Sequence, residues 1–179
     1  MPGVEDIYRS EFRARVLAGR PRSLLEVGCG SGTFLRSVRN DILRLVGVDP
    51  DVEAVDALTL EGLEASVSEA ESLPFRDQEF DVVAFSFVPH HCRDWTVALK
   101  EAMRVARHSV EILDVWFDDT IPDQRVAHAF DRWCKEIDRR TGMVQHDVLP
   151  PGLLLTPALE VEGLTYDYAC RRLSSSWDI

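Results

Sequence analysis

Residues 24–34 read LLEVGCGSGTF, with glycines at 28, 30 and 32 directly after an apolar run and Glu26 two positions before the first of them. Glycine reaches backbone angles closed to other residues, and its missing side chain lets a ligand touch the main chain. A tight strand–helix turn with no ligand is the other reading of Gly28, Gly30 and Gly32, although one glycine usually suffices for a turn. Two ligand classes compete. A dinucleotide fingerprint, G-x-G-x-x-G, needs its third glycine at position 33, where this chain has Thr33. Glu26 would repel a pyrophosphate and attract a cationic or zwitterionic ligand. A second concentration of reactive groups lies in FSFVPHHCRDW, residues 85–95. His90 and His91 there have an ordinary pKa close enough to neutrality to accept a proton.

Elements must position these groups. Residues 4 to about 18 have a helical apolar stripe through Val4, Ile7, Tyr8, Phe12 and Val16, stopped by Gly19 and Pro21. Short apolar runs at 23–28, 43–49, 80–88 and 109–117 read as buried strands, with a weaker one at 63–70. Helical patterns between them cover 32–40, 50–62 and 94–107. The segment 120–142 has the sharpest helical pattern. Thr120 and Asp123 have capping-box spacing, Pro122 suits the first turn, and Gly142 suits the exit. Val126, Phe130, Trp133 and Ile137 repeat at helical steps, which predicts one buried face with Trp133 in the core. His128, Arg132 and His146 fall off that stripe, which predicts the surface for them; reaching a bound ligand from the helix and the loop after it is their other reading. One or two further strands are expected around 160–173. Alternating strands and helices imply an α/β fold: one domain over 1–179, a mostly parallel central sheet, helices on both faces, and a shortened C-terminal part.

Composition narrows the partners. Asp and Glu outnumber Lys and Arg by 31 to 20, a formal net charge of −11, which leaves no obvious footprint for nucleic-acid phosphates. No apolar run is long enough for a membrane span, and the charged N-terminus does not read as a signal peptide, so a cytoplasmic protein is expected. Cys29, Cys92, Cys134 and Cys170 are far apart, which predicts free thiols and no metal site.

The stretch LLEVGCGSGTFL resembles the first motif, E/D-x-G-x-G-x-G, of class I S-adenosylmethionine-dependent methyltransferases of the type 11-like, small-molecule branch. GVDPD (47–51) resembles the family's second motif, and SEAESLPFRDQEFDVVAFSFVPHH (68–91) its DAxxLPFxDxxFDxV block and fourth strand. The match runs over about residues 20–115. It implies a Rossmann-like three-layer sandwich that binds S-adenosyl-L-methionine and releases S-adenosyl-L-homocysteine. By that resemblance Glu26, Gly28, Cys29, Gly30 and Gly32 form the turn around the cofactor. Asp49, with Pro50 beside it, would hold the ribose hydroxyls. Glu69, one methylene longer than the usual Asp, would take the adenine amino group, and Ala70 would offer its N–H to the ring. Ser86 and Phe87 would line the sulfonium end. The chain departs from the family before the fifth strand, where RVARHSVE replaces a proline–glycine turn, and in its compressed C-terminal part.

The implied reaction is an in-line displacement on the sulfonium methyl group, which needs alignment and, for some acceptors, a base. His90 and His91 are the base candidates; capping the next helix or lining the pocket is their other reading. His90, Trp116 and Phe117 are candidates to contact a small-molecule acceptor, an aromatic pair suited to an amine or an aromatic ring. Packing of Trp116 and Phe117 under the next helix, with Asp118 and Asp119 at its N-terminus, is the alternative. The expected protein is a monomer or homodimer that methylates a small molecule. A non-catalytic cofactor-binding domain that assists a partner protein is the competing reading.

Overall fold

A computed structural model describes residues 4–159, 161 and 163–170. In chain order its helices are α1 (Val4–Ala18), α2 (Thr33–Val38), α3 (Val52–Leu60), α4 (Trp95–Val105), α5 (Pro122–Arg140) and the single turn α6 (Pro151–Leu154). Its strands are β1 (Ser23–Val27), β2 (Arg44–Asp49), β3 (Glu64–Val67), β4 (Phe80–Ser86) and β5 (Ala106–Leu113). They form one sheet in the order β3-β2-β1-β4-β5, every neighbouring pair parallel.

The sequence of β1, SLLEV, explains its central place. All its residues are buried, because a parallel strand with helices on both faces has no solvent side. Leu25 and Val27 meet Val46, Val48, Val83 and Phe85 on one face, covered by Trp95, Ala98, Leu99 and Ala102 of α4. Leu24, Val82 and Ala84 face the other way, onto Phe12 and Val16 of α1 and Phe34 and Val38 of α2. Leu58 of α3 and Leu35 close that same face over β2. The three-layer α/β sandwich is therefore present. Register at the lower rim is pinned by Asp81. Its carboxylate accepts the N–H groups of Arg22 (2.8 Å) and Ser23 (3.2 Å) and pairs with Arg107 (2.6 Å), while Ser23 Oγ accepts the Asp81 N–H (2.9 Å).

Strand order reverses between β1 and β4, so the chain leaves β1 toward opposite edges and opens a crevice at the carboxyl ends of the strands. Among the described residues, no helix is long and apolar enough to cross a membrane.

Several expectations change. β3 ends at Val67, β4 at Ser86 and β5 at Leu113, each short of its predicted end, because the chain bends there into the ligand edge. β5 starts at Ala106, immediately after α4, so the strand takes over residues 106 and 107 of the predicted helix. The capping box does not form. Thr120 donates its hydroxyl (2.6 Å) and N–H (2.9 Å) to Asp118, a charged acceptor two residues back, and Ile121 takes the cap position. No strand occurs among residues 161 and 163–170; Asp167 instead pairs with Arg15 on α1. Positions 160, 162 and 171–173 of that expectation lie outside the described residues.

The largest correction concerns α5. Its apolar stripe faces outward: Val126 is 72% exposed, Phe130 64%, Trp133 60% and Ile137 45%. Lys135 is instead its most buried residue, and His128, Asp131 and Asp138 share the inner side with it. Amphipathic spacing defines a face but not the direction in which that face turns. The charged side of α5 meets the polar segment that follows it, where Gln145 bonds Asp138 and Arg139, and that segment bonds the histidine turn in its own right.

The outward stripe has a direct consequence for stability. Trp95 is 7% exposed, meets the Phe85 ring edge-on at 5.1 Å and donates Nε1–H to Leu154 O at 2.8 Å. Trp95→Ala is expected to cost about 3–5 kcal/mol in denaturant unfolding. Trp133→Gln is expected to change stability by less than about 1 kcal/mol. A large loss for Trp133→Gln would place that ring in the core after all.

Candidate functional site

Five strands ending at one edge bring together residues that are far apart in sequence. Gly28 follows β1, Asp49 ends β2, Glu69 follows β3, Phe87 follows β4 and Asp114 follows β5. The bend after β1 is anchored to β2 by the N–H groups of Gly28 (2.8 Å) and Cys29 (3.0 Å), both donated to Val48 O. Gly30 N–H then donates to Asp49 Oδ2 at 2.7 Å. The other carboxylate oxygen of Asp49 accepts Asp51 N–H at 3.0 Å, and Asp51 caps α3. Asp49 is thus a brace as well as a candidate ligand group. Pro50 beside it is exposed.

The glycines divide the work. All three have positive φ: +71° at Gly28, +45° at Gly30 and +74° at Gly32. A Cβ on Gly28 would lie 2.5 Å from Val88 Cγ2, and one on Gly32 would collide with Leu58. Those two glycines are consumed by the protein's own packing. A Cβ on Gly30 would find nothing nearer than Asp49 Oδ2, at 4.0 Å. Only Gly30 keeps an open face toward the crevice.

Glu26 lies beneath this bend and is 2% exposed. Burial pushes its carboxyl well above the usual carboxylate range, against the opposing pull of the Leu35 N–H and of Arg9. Its Oε2 is buried with no hydrogen-bond partner. The Cys29 thiol points the other way, into the core beside Gly47, and burial pushes its pKa up to about 12. Only the main chain of Cys29 can serve the crevice.

After β3, Glu69 pairs with Arg93 at 2.9 Å, and Ala70 packs half-buried against the core. After β4, Phe87 takes φ +62°, an uncommon value for a non-glycine residue, held by its N–H donating to Leu113 O at 2.7 Å. The Arg9 guanidinium lies over the Phe87 ring at 5.1 Å, and Ser86 is half-buried beside it.

Pro89–His91 forms one 3-10 turn. His90 Nδ1 lies 2.9 Å from Asp114 Oδ1, with the side chains only 11% and 6% exposed. A carboxylate at Nδ1 favours the tautomer with the proton there, which leaves Nε2 as an acceptor. His91 is more exposed, and its Nδ1 meets Val144 O at 3.2 Å. Burial, then the neighbouring His90 ring, lowers its pKa. Of the two histidines, His90 has the geometry of a base. Asp114 was missed in the sequence, although an acid at the end of a buried strand, at the same edge as Asp49, was a readable signal.

The remaining candidates separate. Trp116 is 39% exposed, whereas Phe117 stacks on His128 of α5 with ring centroids 5.2 Å apart. His128 is therefore not a surface residue; its Nδ1 meets Asp119 at 2.8 Å and its side chain is 18% exposed. Arg132 and His146 are exposed as expected. Lys135 and Gln145, both buried, were not singled out in the sequence. Among the described residues, no group of His, Cys, Asp and Glu is arranged to hold a metal ion. Cys29, Cys92, Cys134 and Cys170 are free thiols.

Comparison with known proteins follows this geometry. The family described as "Methyltransferase domain" matches residues 25–113. The uncharacterized methyltransferase YcgJ of Bacillus subtilis is 28% identical over 114 residues, covering 60% of this chain and 44% of that protein. Its crystal structure aligns with a TM-score of 0.63 at 21% identity, covering 80% of this chain and 63% of that one. The ubiquinone/menaquinone biosynthesis C-methyltransferase UbiE of Rickettsia felis is 28% identical over 119 residues, covering 59% of this chain and 48% of that protein. A complex of the Haloferax volcanii Trm112 methyltransferase activator with a methyltransferase shares the fold, with a TM-score of 0.56 at 20% identity over 69% of this chain and 63% of that one. The chain spans about half the length of the curated relatives it matches.

The division among the glycines predicts unequal costs. Gly28→Ala adds a steric clash to a left-handed backbone and is expected to lose about 3–4 kcal/mol of unfolding free energy. Gly30→Ala bears only the backbone cost, about 1–2 kcal/mol. Equal losses in urea titrations would contradict the open face at Gly30.

Proposed function

Because the chain belongs to the class I S-adenosylmethionine-dependent methyltransferases, we propose that it catalyses methyl transfer from S-adenosyl-L-methionine to a small-molecule acceptor. It would do so as one domain over 1–179, in the cytoplasm, as a monomer or homodimer, with no nucleic-acid or membrane partner. The observation that carries this reading is the bend after β1. Gly30 leaves bare main chain open to the crevice, and a buried carboxyl oxygen of Glu26 lacks a partner directly beneath. A carboxyl oxygen orphaned in this way would gain a partner in the ammonium or sulfonium of a zwitterionic nucleoside and would oppose a pyrophosphate.

The residues fit that cofactor in the following roles. The main chain of Gly28, Cys29, Gly30 and Gly32 would form the cradle over Glu26. Asp49, with Pro50 beside it, would accept the ribose hydroxyls using lone pairs left over from Gly30 and Asp51. Glu69 would turn from Arg93 to the adenine amino group, and Ala70 would offer its N–H. Ser86 and Phe87 would close the sulfonium end. When bound, the cofactor supplies a methyl group already activated by positive sulfur.

The protein's own part is alignment and proton removal. His90 Nε2, with Nδ1–H held by Asp114, would take the acceptor's proton as the acceptor becomes nucleophilic. His91 would tune that site through its ring, 4.3 Å from the ring of His90. Trp116 would offer an exposed aromatic face to the acceptor. Phe117, committed to stacking on His128, would hold the roof. The UbiE relative, named for methylation in quinone biosynthesis, supports a small-molecule acceptor in general.

A second reading is a cofactor-binding domain that assists a partner. It is favoured by β5, one of the two edge strands of the described sheet, whose outer edge another chain could cover. The fold shared with a Trm112-bound methyltransferase is compatible with this reading. Transfer of radiolabelled methyl to a metabolite panel separates the two. The enzyme is expected to label an acceptor, with His90→Gln lowering turnover about 10²-fold or more. Binding without labelling favours the assistant.

Calorimetry with S-adenosyl-L-homocysteine tests the cofactor site. Asp49→Ala is expected to weaken binding about tenfold or more. Glu26 adds a pH dependence of known sign. Its raised pKa means that the carboxyl is neutral at low pH and gains its charge as pH rises through that value. Affinity for the ligand's ammonium group should therefore climb with pH and level off above it. Glu26→Gln should flatten the profile at the low-affinity level; an unaltered slope would remove Glu26 from the site.

A further inference from the structure

Among the described residues, the buried side-chain atoms without a hydrogen-bond partner are Glu26 Oε2, His128 Nε2, Asp131 Oδ2, Lys135 Nζ and Gln145 Oε1. Buried polar atoms are rarely left unsatisfied, because each gives up its bonds to water without replacing them. Glu26 belongs to the cofactor bend. Of the other four, His128, Asp131 and Lys135 follow one another along the inner face of α5, and Gln145 lies on the segment bonded to Asp138 further along the same face.

Several contacts attach this group to the proposed transfer centre. His146 N–H donates to His90 O at 2.7 Å, and His91 Nδ1 meets Val144 O at 3.2 Å, so Gln145 sits between two links to the histidine turn. Gln145 Nε2–H donates to Asp138 Oδ2 at 3.2 Å, and Arg139 Nη1–H donates to Gln145 O at 3.1 Å, which fastens the same residue to α5. Lys135 is close enough to the His91 ring to disfavour its protonation. His128 rests on Phe117 directly after β5. The inner face of α5 is a roof over the histidines.

The roof is costly in two ways. A helix with an apolar stripe of Val126, Phe130, Trp133 and Ile137 turns its charged side inward instead. Lys135, whose side chain is 6% exposed, has one charge partner among the described residues, Asp131 Oδ2 at 3.0 Å, in a geometry that is not a hydrogen bond. Gln145 is 8% exposed and uses its amide N–H while its carbonyl oxygen stays unpaired. A ligand that completes these bonds would offset the cost.

We propose that His128, Asp131, Lys135 and Gln145 form the recognition site for the methyl acceptor, and that the acceptor is a small amino or hydroxy acid. This rests on the methyl-transfer reading above. The donors and acceptors define the class. Lys135 Nζ supplies N–H donors for a carboxylate oxygen. Asp131 Oδ2 and Gln145 Oε1 accept from an ammonium or hydroxyl. His128, its Nδ1–H turned to Asp119, accepts at Nε2. The adjacent plus and minus charges of Lys135 and Asp131 match the separated charges of a dipolar ligand. An apolar ring would leave all four unsatisfied.

Thermal unfolding of the full chain, with saturating S-adenosyl-L-homocysteine and a panel of small amino and hydroxy acids, tests this; a naphthoquinol, which has hydroxyls but no carboxylate for Lys135, serves as the contrasting probe. At least one acid is expected to raise the melting temperature, by about 3–5 °C at ten times its Kd. In Lys135→Met and in Gln145→Leu that acid should bind about tenfold or more weakly. The shift given by S-adenosyl-L-homocysteine alone should be unchanged. The double variant Asp131→Leu/Lys135→Met, without acid, should melt no lower than the parent, since a buried pair replaced by apolar groups is often neutral or stabilising. The proposal is overturned by a panel that gives no shift, by a shift from the naphthoquinol alone, by acid binding that survives Lys135→Met and Gln145→Leu, or by a lower-melting double variant. If S-adenosyl-L-homocysteine itself gives no shift, it is the cofactor reading that fails.

Discussion

The hydrogen bond from Gly30 N–H to Asp49 Oδ2 joins the two central features of this fold. β1 and β2 are parallel neighbours, so they end side by side, and the residue closing β2 can reach the bend that follows β1. A carboxylate there fixes the path of a main chain that has few side chains of its own to anchor it. The same carboxylate retains lone pairs toward the crevice. Remove it, and both the bend and the polar rim beside it lose their support. Gly28 and Gly32 belong to this arrangement as fitted parts, one against Val88 and the other against Leu58, while Gly30 alone presents backbone.

Polar groups buried without partners mark where a protein's stability is set aside for something else. Here they fall in two places, under the glycine bend and on the inner face of α5 with the adjoining Gln145. Between them stands the His90–Asp114 pair, shielded and oriented. Such a layout suits a reaction whose donor is intrinsically activated. On the proposed reading, the protein would supply alignment from the glycine bend, recognition from α5 and a proton acceptor at His90. It has little need of further catalytic machinery.

Much of this was legible in the chain. Short apolar runs separated by helical patterns indicated a parallel sheet, and β1, β2, α1 and α3 fall within a residue or two of where those patterns lie. The acid-flanked glycine run and Asp49 stand at adjacent strand tips, where their spacing implied a site. Other parts were not legible, for stated physical reasons. The Thr120 capping box had the right spacing but lost to Asp118, a stronger acceptor at shorter range. His128 looked like a surface residue because it lies off the apolar stripe, and the stripe itself was pointing outward.

Local rules settled what local rules can settle. Periodicity, glycine placement and the flanking acid are properties of a few consecutive residues, so the order of elements and the glycine bend could be read from the sequence alone. Only tertiary structure decided which face of α5 turns inward, that Asp114 orients His90, and that Gln145 lies beside both. Those contacts join residues brought close by the parallel stacking of β4 and β5 and by the return of the chain over their ends. A helix's own pattern records that its two sides differ; the surface beneath it determines which side is covered.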